Sequence, residues 1–172
     1  SGKCAVPTPE RTGTEMRVLG IDPGYGTIGW GILDCTRGKL TFVDYGAIRT
    51  APQTPMEDRL VQIYGDLEQI IRNYRVETAA FEELFFNTNI TTAIKVAEAR
   101  GVLLFGARKL GLSCYEYTPS EVKQAVVGYG KAEKMQVMKM VKLLLGLREI
   151  PRPDDAADAL AVALCHAQVM NY

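Results

Sequence analysis

The chain has no paired-cysteine spacing, no long apolar run and no excess of charge of either sign, and each absence removes a class of protein. Cys4, Cys35, Cys114 and Cys165 are scattered without a C-x-x-C pair, so neither a zinc site nor a disulfide framework is expected. With no secretory signal either, reduced and mostly buried thiols in a cytoplasmic protein are the expectation. No apolar stretch approaches the ~18 residues of a membrane span, which points to a soluble chain. Basic and acidic side chains number 20 each, which excludes a uniformly basic nucleic-acid binder but leaves local asymmetry open. Residues 51–90 hold 3 Lys/Arg against 7 Asp/Glu, whereas 95–152 hold 11 against 5. A phosphate backbone could use that second excess, and solvated helix faces would account for it equally well. Internal repeats and low-complexity tracts are also missing.

What is present supports one core. At 172 residues and 47% hydrophobic composition, the chain is long enough for one well-buried domain and short for two. Residues 1–15, SGKCAVPTPERTGTE, lack hydrophobic periodicity and hold Pro7, Pro9 and Gly13, so they read as a flexible extension or an expression remnant. The domain is expected over 16–172.

It is organised around residues 17–34, RVLGIDPGYGTIGWGILD. A short apolar run ends on Asp22, breaks at Pro23-Gly24, and resumes as a second β-prone run. Gly24 to Gly29 fits G-x-G-x-x-G, with Asp44 about 20 residues on, as a dinucleotide fold would require. In that fold the third glycine lies inside a helix. Here Gly29, Gly31, Trp30 and β-branched neighbours make a poor helix and a reasonable strand. The pattern reads as a strand, a tight turn and an antiparallel strand, with Asp22 facing a shared site.

Residues 39–49 alternate as a third strand, completing an antiparallel meander. Pro55 opens a helix to about residue 74, with Leu60, Ile63, Leu67, Ile70 and Ile71 on one face. A buried strand over 76–82 runs into Glu82 and Glu83. Asn87 or Thr88 then caps a helix to about residue 109 whose core positions are Ile94, Val96, Ala97, Val102, Leu103 and Phe105. A strand over 113–117, helices over 119–127 and 131–145, and an Ala-rich helix from 154 to about 169 complete the chain. The fold class expected is α/β, a mixed central sheet of antiparallel meander and parallel strands flanked by helices.

The last helix begins Asp154-Asp155-Ala156-Ala157-Asp158. Asp155 and Asp158 share a face, about 5 to 6 Å apart at Cβ. Acids at a helix N-terminus suit the macrodipole, and one of them would serve as a cap. A third is less well explained, and the Ala-Ala spacer leaves room for a ligand. With Asp22 and Glu82, each ending a buried strand, four carboxylates could meet. Such a cluster is tolerable only around hard cations, since Mg²⁺ takes oxygen ligands and shares its remaining positions with water and phosphate. Two such ions about 3.5 to 4 Å apart can activate a water and stabilise the leaving oxygen of a phosphodiester.

Five segments carry a resemblance: G-I-D-P-G (20–24), A-F-E-E-L-F (80–85), A-R-G (99–101), V-K-Q-A-V-V-G-Y-G-K-A-E-K (122–134) and D-A-A-D-A-L-A (155–161). In that order, from about Met16 to His166, they resemble the RuvC family of bacterial Holliday-junction resolvases, within the RNase H-like superfamily. The resemblance implies an RNase H-like fold, a homodimer, cooperation with a RuvAB branch-migration complex, and paired nicking of four-way DNA junctions with two Mg²⁺ ions, or Mn²⁺ in substitution. It implies Asp22, Glu82 rather than Glu83, Asp155 and Asp158 as metal ligands, with Asp155 chosen over Asp154, which is left as a cap. It further implies Phe85 as a wedge that stacks on an unpaired base, and Lys134 and Lys123 as basic groups near the scissile phosphate. Gly128-Tyr129-Gly130-Lys131 fails as a Walker motif, because Ala132 supplies no hydroxyl, and reads as a turn contacting the DNA backbone through Lys131. His166, the one histidine, reads as packing or surface.

Two rival readings fit the sequence less well. An actin-like ATPase also begins with an aspartate near a glycine on a similar sheet, but it needs a duplicated domain, and this chain holds one copy. A non-catalytic junction-binding protein predicts a missing acid, and all four are present.

Overall fold

The computed structural model describes residues 15–84 and 89–172. Its centre is a five-stranded sheet in the order β3-β2-β1-β4-β5. β1 (Met16–Asp22), β2 (Thr27–Thr36) and β3 (Lys39–Arg49) form the expected meander, with antiparallel pairing on both sides of β2. β4 (Thr78–Glu82) joins β1 in parallel, and β5 (Ser113–Tyr117) joins β4 in parallel. The sheet is mixed, as expected. Parallel pairing needs crossovers, which here run through helices.

Five helices are described: α1 (Met56–Tyr74), α2 (Ile90–Lys109), α3 (Pro119–Val127), α4 (Lys134–Leu144) and α5 (Asp154–Met170). α1 and α2 cover one face of the sheet, over Leu19, Ile21, Ile28 and Ile32. α5, backed by α3 and α4, covers the other, over Val18, Leu33 and Ala80. Alternation along β1 therefore decides where Asp22 goes. Residues 18, 20 and 22 share a face because the side-chain period of a strand is two. Val18 lies on the α5 side, so Asp22 points there too.

α5 is buried on every side from Ala159 to Ala167, so it carries no one-sided apolar stripe. Small residues let it lie almost on the backbone of the sheet. A Cβ added at Gly20 would come within 2.0 Å of the Ala159 carbonyl oxygen, and one at Gly29 within 1.9 Å of the Asp155 carbonyl oxygen. A Cβ at Gly31 would strike the Leu160 side chain at 2.5 Å. Gly20 pairs with Gly31 across the β1–β2 ladder, and Asp22 pairs with Gly29. These glycines make a trough, and the alanines of α5 sit in it.

Several expectations change. The second helix is capped by Asn89, whose side chain accepts from the Thr92 amide, and not by Asn87 or Thr88. Ile94, Ala97 and Phe105 do not face the core: Ile94 is 54% and Phe105 64% exposed, while Ala99, Leu103, Gly106 and Ala107 are buried instead. Close approach to α1 requires small residues there, as at Gly106, where a Cβ would meet the Tyr64 ring at 2.9 Å. The helix expected over 131–145 begins at Lys134, because Glu133 and Gln136 form a capping box. Asp154 is not a cap. Pro153 holds that position, and the Asp154 carboxylate pairs with Arg152. Cys35 and Cys165 are buried and Cys114 is partly so, while Cys4 and all but the last residue of the expected extension over 1–15 lie outside the described residues. Among the described residues no helix is long and apolar enough to cross a membrane.

Candidate metal centre

Asp22, the last residue of β1, stands at the edge of the sheet where β4 also ends, in Glu82. β1 and β4 run in register with Gly20 opposite Ala80 and Ile21 opposite Phe81. Continuing that register sets Asp22 beside Glu82, both on the α5 face. The first turn of α5 then adds Asp155 and Asp158, three residues apart and so on one side of the helix. Carboxylate oxygens of Asp22, Asp155 and Asp158 all lie within 4.8 Å of one another. Asp155 and Glu82 are close enough for their charges to bear on Asp22. The four acids named from the sequence are one cluster.

Its electrostatics are those of like charges held out of water. Burial pushes the Asp22 carboxyl well above the usual carboxylate range, and repulsion from Asp158, Glu82 and Asp155 adds to this. Glu82 is raised by burial and by Asp158, against the pull of Lys123 and Lys134. Asp158 is raised by burial, partly offset by Lys134. Three acids whose ionised form is disfavoured by burial and repulsion form a poor stability element and a good cation site, because a bound cation removes the repulsion. An all-oxygen donor set suits a hard divalent ion and not a soft one.

Of the three lysines named from the sequence, two stand at the cluster and one away from it. Lys134, at the start of α4, places its Nζ 3.0 Å from Asp158. Burial alone would lower its pKa, but the hydrogen bond to Asp158 and attraction to the neighbouring acids raise it. Lys123, on α3, lines with Glu82, Lys134 and Asp158 a cavity of about 220 Å³ that opens beside the carboxylates. Lys131 is exposed in the turn before α4 and lines neither this cavity nor the cluster. Phe85 lies outside the described residues.

His166 belongs to a different part of the molecule. It is fully buried, with Nδ1 2.7 Å from the Tyr117 hydroxyl and Nε2 3.2 Å from the Tyr172 hydroxyl. Burial lowers its pKa to about 4. It anchors the end of the chain against β5 and takes no part in the metal centre.

Sequence reasoning missed the trough that brings the acids together. The alanines between Asp155 and Asp158, read as clearing space for a ligand, are instead buried against the sheet. The signal was available: isolated glycines inside an apolar strand mark a close backbone approach.

Known proteins share both sequence and fold. The sequence profile of the family described as crossover junction endodeoxyribonuclease RuvC matches residues 18–166. A protein of that name from Heliobacterium modesticaldum is 54% identical over 157 residues, spanning 91% of this chain and 97% of the relative. The Thermus thermophilus RuvC structure superposes with a TM-score of 0.81 at 40% identity, covering 88% of this chain and 93% of that one. A second Thermus thermophilus RuvC structure, in complex with Holliday junction substrate, gives a TM-score of 0.79 at 38% identity, covering 88% and 92%.

Proposed function

The chain belongs to the RuvC family of crossover junction endodeoxyribonucleases, and from that membership we propose that it resolves four-way DNA junctions by paired, Mg²⁺-dependent nicking. The observation that carries this reading is the cluster of Asp22, Asp155 and Asp158, within 4.8 Å at an open sheet edge, with Glu82 beside it. A purely structural role would leave those charges unpaid for.

In this reading Asp22, Glu82, Asp155 and Asp158 hold two Mg²⁺ ions, with Mn²⁺ a substitute. When bound, such ions supply Lewis acidity at the scissile phosphate and favour attack by water. The protein's own groups do the rest. Asp22, held at the end of β1, sets the position of the cleavable strand. Lys134 and Lys123 face the 220 Å³ cavity and neutralise phosphate charge as the strand enters, Lys134 exchanging its contact with Asp158 for one with DNA. Lys131 contributes a backbone contact at the turn, and Phe85 stacks on a base at the junction centre. In-line attack at phosphorus leaves a 5′-phosphate and a 3′-hydroxyl.

Paired nicking needs two sites related by symmetry, so the active form is a homodimer. An exposed apolar row on α2 favours it: Ile90, Ile94 and Phe105 are 79%, 54% and 64% exposed. The protein acts in recombination and repair in the cytoplasm, receiving junctions from the RuvAB branch-migration complex.

The test is cleavage of a synthetic four-way junction and of linear duplex by the purified chain, with and without Mg²⁺. Symmetric nicks confined to the junction and dependent on Mg²⁺ are expected. Equal cutting of linear duplex, or cutting in chelator, overturns the reading.

A further inference from the structure

The turn joining β1 to β2 has a second side. Across it from the metal centre, residues Gly24 to Thr27 wall a cavity of about 460 Å³, completed by Thr50, Arg59 and Val96 among others. Inside lies a guanidinium almost out of reach of solvent. Arg59 is 5% exposed, its Nε donating to the Thr50 hydroxyl at 2.9 Å and its Nη2 to the Tyr25 carbonyl at 3.4 Å. The Thr50 hydroxyl in turn donates to the Tyr25 carbonyl at 2.7 Å. Every one of these acceptors is neutral. Among the described residues no carboxylate forms an ion pair with Arg59.

Burying a cation without a counter-charge is costly, and the buried arginine at Arg17 shows the usual remedy, a bidentate pair with Asp34. Arg59 lacks that remedy and borders an open cavity. A second cation stands at the tyrosine that walls the cavity, just outside its lining: Lys95 of α2 holds its Nζ 5.5 Å from the Tyr25 ring centroid, while the Arg59 guanidinium carbon is 4.8 Å from it. A buried fork, an exposed ammonium and neutral hydroxyls around a cavity make a receptor for a tetrahedral oxyanion.

We propose that this cavity is a second DNA-backbone subsite, which takes a phosphate of the strand that passes the metal centre. Its position favours a DNA phosphate over a free one. Gly24, which begins the cavity wall, follows Asp22 by two residues, so its Cα lies within about 7 Å of that of Asp22. A strand in the metal centre reaches the cavity within a few nucleotides, and the turn between becomes a ridge under it. The inference rests on the chain being a junction nuclease, and adds an anchor on the α1–α2 side of the sheet.

The test is junction binding in chelator across a salt series, read with phosphate-ethylation interference. Lys95→Gln removes an exposed charge, so its melting temperature should match the wild type. Its slope of log affinity against log salt should fall by about 0.9 for each occupied cavity. One ethylated phosphate near the cut should weaken wild-type binding and leave Lys95→Gln no weaker. Arg59→Gln, where its melting curve shows a folded protein, should lose sensitivity at that same phosphate; where it does not fold, the Lys95 arm decides. A wild-type slope and an unchanged interference pattern in Lys95→Gln overturn the proposal. Wild-type protein that fails to bind the junction at all overturns the nuclease reading instead.

Discussion

Asp22 is the acid on which the other three converge, and burial with their repulsion pushes its pKa up, which makes it the most sensitive point of the cluster. Asn at this position keeps the shape, removes a ligand and relieves repulsion. Asp22→Asn is expected to lower junction cleavage by more than the 10- to 100-fold typical of outer-shell changes around metals, roughly 10³-fold, with junction affinity held within about threefold. Single-turnover cleavage and a binding titration in chelator measure the two separately, and cleavage at the wild-type rate would remove the metal role. His166 offers a contrasting case, a titratable group with a structural task. Its folded pKa of about 4 lies below its ordinary value of 6.5, so the folded state resists the proton. The stability from neutral His166 is complete above about pH 6.5 and is lost as pH falls toward 4. Between pH 7 and 5 this linkage is worth about 2 kcal/mol. Urea unfolding of the wild type and of His166→Gln at both pH values should show that loss in the wild type alone.

At the scale of elements, the acidic cluster depends on how closely α5 lies against β1 and β2. Gly29 is the tightest point, with the Asp155 carbonyl oxygen 1.9 Å from where a Cβ would stand. Gly29→Ala must displace the first turn of α5 and with it Asp155 and Asp158. A loss of about 1–3 kcal/mol is expected, as for overpacking generally, with a fall in cleavage larger than the unfolded fraction explains. Urea unfolding and single-turnover kinetics on the same preparation test this; unaltered cleavage would mean that the carboxylates tolerate movement. α2 works differently, burying a narrow strip of small residues against α1 and leaving large apolar side chains outside.

For the whole molecule, that outer face of α2 bears on assembly. An isologous contact places the same patch from both copies together. Ile94→Glu, at a position 54% exposed, should leave the melting temperature of the fold intact while shifting sedimentation from dimer to monomer. Paired nicking should become single nicks. A dimer that persists in Ile94→Glu would assign the interface to another surface. The acidic cluster and the Arg59 cavity flank one turn, so in the proposed dimer two such turns would be presented to the junction arms.

Much of this was legible before any coordinates. The meander, the strand ending in Glu82, the helix from Pro55 and the D-A-A-D helix start all follow from period, turn chemistry and capping, because local sterics and one-sided burial leave those marks. That acids from distant segments would meet was legible as well: strand ends pointed to Asp22 and Glu82, and motif resemblance preferred Glu82 to Glu83 and Asp155 to Asp154. Tertiary structure alone decided which side of α2 is inside, that Asp154 pairs with Arg152 rather than capping, that His166 is wholly enclosed, and that Arg59 is buried without an acid. Hydrophobicity records how much a residue prefers to leave water, not what will stand opposite it. A helix enclosed on all sides, as α5 is, or one that leaves large apolar groups exposed, as α2 does, has no single face for a pattern to report, and the approach of backbone to backbone is settled only when both are in place.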